Sequence, residues 1–128
     1  MNTNITDITS IKPAERTIEI KHPVTDEPIG LTITLRPESD LAVQAAQRRF
    51  LNERLQKGKK VTAEQIEAGT LSKVVAAIAG WEWKNGLTFH GDIPDFSEAN
   101  VRKVFKELPW VRTQIDAELG DDAAFFQN

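Results

Sequence analysis

The segment Ile29-Gly30-Leu31-Thr32-Ile33-Thr34-Leu35 alternates apolar and polar side chains and is rich in β-branched residues, the pattern of a strand with one face buried and one in water. Thr17-Ile18-Glu19-Ile20-Lys21 repeats the alternation, and the intervening His22-Pro23-Val24-Thr25-Asp26-Glu27-Pro28 holds the prolines and aspartate that reverse a chain. An antiparallel hairpin over residues 16–36 is predicted. Because a two-stranded ribbon is marginal in water, its apolar face of Ile18, Ile20, Leu31, Ile33 and Leu35 has to lie on helices or on another copy of the chain. That requirement restricts the fold more than any other feature.

The rest of the chain supplies helices. Pro37-Glu38-Ser39-Asp40 places a proline and acidic groups at a helix start, Leu41 to Lys57 contains no glycine or proline, and Gly58 is a natural stop. Val43, Ala46 and Phe50, with Leu51 and Leu55 across the stripe, are read as its apolar side, with the arginines facing outward. Thr62 and Gln65 match a capping box, and Val61 and Ile66 match the hydrophobic staple around the same cap. Leu71, Val74, Val75 and Ile78 continue that second helix up to Gly80, with Gly69 weakening its middle by up to about 1 kcal/mol relative to alanine and allowing a bend. Residues 81–96 read as a loop with apolar anchors. Asn85-Gly86 marks a tight turn in it, with Trp83 and Phe89 in the arms of a small second hairpin. Ser97 caps a third helix carrying Val101, Val104, Phe105 and Leu108, and Pro109 breaks the ladder so that Val111, Ile115 and Leu119 belong to a fourth, ending at Gly120.

The predicted fold class is therefore α+β and mainly helical: an N-terminal antiparallel hairpin packed on about four helices. Residues 1–15 are read as a flexible arm, residues 16–128 as one globular domain with its helical part over 37–120, and residues 121–128 as an acidic and aromatic tail. The longest apolar run, Val74 to Ala79, is far too short to span a membrane, and the polar start has no signal-peptide character. With no cysteine there is no disulfide framework, and the cytoplasm is the expected compartment.

Charge is unevenly spread: residues 37–60 carry 6 basic and 3 acidic groups, whereas residues 61–128 carry 6 and 11. Arg48, Arg49, Arg54, Lys57, Lys59 and Lys60 form the basic stretch, which lacks the interleaved aromatic residues of a single-strand nucleic-acid platform. Pairing with the acidic tail, within one molecule or between subunits, is the more economical use, and nucleic acid is not the expected partner. The two histidines, His22 and His90, sit in no nucleophile or metal motif. His90-Gly91-Asp92 with Asp95 matches no zinc or calcium loop and reads as an aspartate-stabilised turn. The lysine and hydroxyl residue of a phosphate loop are missing after Gly91, and no Gly-x-Ser-x-Gly turn exists. No catalytic residue, metal ligand or cofactor site is assigned.

The succession Ile78-Ala79-Gly80-Trp81-Glu82-Trp83, a glycine and aspartate turn, Ile93-Pro94-Asp95-Phe96-Ser97-Glu98-Ala99-Asn100-Val101, then Phe105 and Leu108-Pro109-Trp110-Val111, resembles the tail assembly chaperones of long-tailed bacteriophages and prophages. The likeness covers about the last 65 residues closely. It implies a non-enzymatic protein of the bacterial host's cytoplasm, absent from the mature virion, that forms homo-oligomers, binds the tape measure protein and helps recruit tail tube subunits. A minor structural protein of the tail or head–tail junction, and a small nucleic-acid-binding regulator, are the competing expectations.

Partner contacts are expected in two places. Oligomer contacts are assigned to the hairpin edge and basic helix around Ile33, Arg48 and Phe50. Client contacts are assigned to Trp81, Trp83 and Phe89 in the loop, although aromatic rings there serve first as core and loop anchors, and to Phe125 and Phe126, which either pack at home or dock into a partner.

Overall fold

The computed structural model describes residues 7–58 and 61–126. Strands β1 (Arg16–Lys21) and β2 (Pro28–Leu35) form the predicted hairpin, α1 (Leu41–Lys57) and α2 (Ala63–Ala76) follow, and then comes β3 (Ile78–Trp83). Helices α3 (Glu98–Glu107) and α4 (Pro109–Leu119) and a short 3-10 turn, Asp122–Phe126, complete the chain. The sheet has three strands in the order β1-β2-β3, each pair antiparallel.

The α+β architecture agrees with the sequence reading, and β3 is the main correction to it. Ile78 does not extend the second helix; α2 stops at Ala76 and Ile78–Trp83 pairs with β2, Trp81 opposite Ile33 and Trp83 opposite Leu31. The helix passes into the strand through one residue, Ala77. Arg36, just past the end of β2, holds this junction. Its backbone N–H donates to Ala77 O at 2.6 Å, and its Nη1 donates to Ala76 O at 2.8 Å and Ile78 O at 3.3 Å. A guanidinium on the orphan carbonyls of a helix C-terminus is favoured by hydrogen bonding and by the helix dipole.

One sheet face, carrying Ile18, Ile20, Leu31, Ile33 and Leu35, joins Val74 and Val75 of α2, Val101, Val104 and Phe105 of α3, Val111 and Ile115 of α4, and Phe125 in a single core. The other face presents Thr17, Glu19, Thr32, Thr34 and Glu82, exposed or half-buried, with Thr17 and Thr34 hydroxyls 3.0 Å apart. Near the hairpin turn the register slips between Glu19 and Lys21. There Gly30 sits in β2 with φ +100, and a β-carbon on it would lie 2.6 Å from Lys84 O. Only glycine meets both demands.

Local signals in the sequence match the helix ends. Asp40 accepts from Ala42 N, Thr62 and Gln65 form the reciprocal capping box, Ser97 accepts from Asn100 N, and Pro109 occupies the first turn of α4. Over its described part the N-terminal arm has local structure: residues 8–10 form a 3-10 turn capped by Asp7, and Ala14 N donates to Phe125 O at 2.8 Å. Thr9 donates through its backbone and hydroxyl to the Asp7 carboxylate, which holds that group below the usual aspartate range.

Candidate partner-binding surface

The residues expected at partner contacts separate into a buried set, a half-buried set and an exposed set. Ile33 is only 1 % exposed and lies on β2, the middle strand, so it is neither at a sheet edge nor on a surface. Phe125 is 4 % exposed and packs at home: the Arg16 guanidinium lies 5.5 Å from its ring centre, and Arg16 pairs with Glu118 at 2.6 Å. Both drop out as contact residues. Phe126, 44 % exposed, remains at the surface beside a cleft of about 370 Å³ lined also by Pro13, Pro37, Glu38 and Gln44.

Trp81, Trp83 and Phe89 are half-buried against the core edge. Trp81 stacks edge-on with Trp83 at 5.6 Å and with Phe96 at 5.7 Å between ring centres, and its Nε1 donates to Pro94 O at 3.1 Å. These rings fasten the 84–96 loop to β3. Asn85 and Gly86, both with positive φ, make the expected tight turn. The arms expected around that turn are different, however. Trp83 is in β3, while Phe89 pairs with Asp92 across a second tight turn made by His90 and Gly91, also both at positive φ. His90 Nε2 lies 2.6 Å from Glu107 Oε1, and His22 Nδ1 accepts from Val24 N and Thr25 N in the hairpin connection. Both histidines thus brace turns. Among the described residues, no group of three or more His, Asp or Glu side chains is arranged to hold a metal ion, and no helix is long and apolar enough to cross a membrane.

The basic helix is where the surface departs most from expectation. Val43 and Ala46 are buried and Phe50 is half-buried, but Leu51 and Leu55 are 47 % and 80 % exposed, and Leu41 is 79 % exposed. α1 therefore has two apolar faces, one against the protein and one in water. Its inner face packs chiefly on α2, and its buried residues lie outside the main core. The contact is keyed by a glycine: a β-carbon at Gly69 would fall 1.9 Å from Phe50 Cδ1, so the ring occupies the space that any side chain there would need. Gly69 is a socket within a helix that runs unbroken from Ala63 to Ala76.

Arg48 and Arg49 are exposed and form no ion pair among the described residues, while Arg54 lies over the Phe50 ring at 5.6 Å. The expected pairing of the basic stretch with the acidic tail is not made within the molecule among the described residues; the tail-proximal Glu118 pairs with Arg16 instead. The Lys57 side chain, Lys59 and Lys60 lie outside the described residues. Between α2 and α4, Arg112 links Glu67 and Asp116. Partial burial raises the Asp116 carboxyl above its ordinary value, opposed by Arg112 and reinforced by Glu67.

The chain matches no protein-family model, no curated protein and no solved structure.

Proposed function

We propose that this protein is a non-enzymatic tail assembly chaperone of a long-tailed phage or prophage, which holds the tape measure protein and promotes assembly of the tail tube. The resemblance of residues 78–111 to such chaperones supplies the class. The observation that carries the reading is α1, a helix fixed to the domain by one face while Leu41, Leu51 and Leu55 and the arginines Arg48 and Arg49 stand in water on its other sides. An isolated exposed leucine is ordinary, but three on one helix flanked by cations form a surface suited to capture an amphipathic helix. The tape measure protein is a long helical client, and a holder of helices works by reversible burial with no covalent step.

The test is co-expression with the tape measure protein encoded nearby. The reading expects more of that protein in the soluble fraction and a complex that elutes as one species. Unchanged solubility together with separate elution would refute it.

A further inference from the structure

The outward residues of α1 have a regular spacing. Leu41, Gln44, Arg48, Leu51 and Leu55 are separated by steps of three, four, three and four, and all five are exposed. Such spacing places them on one narrow stripe about 21 Å long, the geometry with which one helix packs along another. The inner residues Val43, Ala46 and Phe50 lie on the far side of the same helix, so the stripe is free of the contact with α2. Its centre is Arg48.

The chemistry of the stripe selects among occupants. A second α1 in parallel register sets Arg48 against Arg48. An antiparallel copy sets it against Gln44 or Leu51. Every such pairing buries two guanidiniums with no carboxylate on the stripe to meet them, and an unpaired charge in an interface strongly disfavours association. Two polar residues in the middle of the stripe also interrupt the apolar face that a lipid surface would need. A helix bearing a carboxylate at its central layer, with leucine-like residues on either side, satisfies every position. Because Arg48 is central, such a helix fits in either direction.

We infer that the outer stripe of α1 is a docking seam for an amphipathic helix of another protein, with Leu41, Leu51 and Leu55 as its apolar layers and Arg48 paired to an acidic residue of the partner. This deepens the reading of the protein as a holder of helices and rests on it; it names the surface and the partner's chemistry.

The probe is a pair of synthetic 28-residue helical peptides with leucine at every seam position except the central one, which is Glu in one and Lys in the other, and binding is followed by fluorescence anisotropy. The full chain should bind the Glu peptide at least about tenfold more tightly than the Lys peptide. Arg48→Glu should reverse that order, and Leu51→Asp or Leu55→Asp should remove binding with the thermal melt unchanged, because these side chains are exposed. The seam assignment fails if neither peptide binds, if Arg48→Glu keeps the original order, or if binding survives the aspartates. It also fails if the chain forms a dimer that Leu51→Asp disperses, since a second copy then covers the stripe, or if the chain partitions onto anionic vesicles through Leu55. The two readings separate cleanly. Peptide discrimination without tape measure capture removes the chaperone assignment alone, and capture undiminished by Arg48→Glu and Leu51→Asp removes the seam alone.

Discussion

α3 and α1 are both amphipathic in composition, yet only one is complete within the domain. In α3 the apolar residues Val101, Val104 and Phe105 share one face, all are buried in the core, and Glu98, Lys103, Lys106 and Glu107 face solvent. In α1 the apolar residues divide between opposite faces, and the domain covers only one. The contrast teaches that exposure of leucine on α1 does not come from poor packing of the chain as a whole: the same sequence buries Val101, Val104 and Phe105 of α3 and Val111 and Ile115 of α4. On α1 three exposed leucines share one helix, whereas the other exposed large apolar residues, such as Val24, Ile66 and Ile93, are scattered over separate elements.

Stability measurements can break this contrast. The largest effect is expected at α4, where Ile115→Ala should cost about 2–5 kcal/mol by removing a fully buried side chain. Leu51→Ala or Leu55→Ala should change stability by less than about 0.5 kcal/mol, read from urea unfolding. A loss at either leucine comparable with Ile115→Ala would show that the outer face is structural after all. An effect between that of Ile115→Ala and those of the leucines is expected at the socket between α1 and α2. Alanine ordinarily improves a helix interior by up to about 1 kcal/mol over glycine, but Gly69→Ala should destabilise by about 1–3 kcal/mol because the Phe50 ring must leave. In a Phe50→Ala background the same change should become stabilising, and a double-mutant cycle measures the reversal.

Arg36→Ala should cost about 1–2 kcal/mol by freeing the carbonyls of Ala76 and Ile78 at the α2–β3 junction. Its effect should appear as faster amide exchange in β3 with α1 unchanged, which sharpens the separation of the two regions. The smallest effect concerns Asp116. Its raised carboxyl means that the folded state holds this proton more tightly than the unfolded state. Its contribution therefore favours folding at low pH and is lost as pH rises from the ordinary value of 3.8 through the raised one. Asp116→Asn should remove that slope and, at neutral pH, leave stability unchanged or slightly higher. A melt series from acid to neutral pH checks the sign.

Much of the fold was legible because its signals are local. Alternation in β1 and β2, the Thr62–Gln65 capping box, the Ser97 cap and the Pro109 break each depend on a few neighbouring residues and appear where expected. β3 was obscured because Val74, Val75 and Ile78 satisfy a helical stripe as readily as a helix running into a strand, and no glycine or proline marks Ala77. The guanidinium of Arg36, distant in sequence, replaces that signal. Gly69 reads as a weak point until Phe50 is brought to it, which only tertiary packing reveals. On α1 the two apolar sets read as one side in the sequence, since Leu51 neighbours Phe50. Their separation by about a quarter turn or more follows from helical geometry. The three-and-four spacing of the outer set was present in the sequence and would have revealed it. Ile33 and Phe125 failed as contact residues for the opposite reason: strand order and the docking of the C-terminal turn are long-range outcomes.

Capture of the tape measure protein by a Leu51→Asp/Leu55→Asp double variant, compared with the unaltered chain at equal expression, tests most directly whether the outer face of α1 holds the client. The account predicts a variant that melts at the same temperature and no longer co-elutes with the client. A variant that folds normally and captures as much client as the original chain would contradict it.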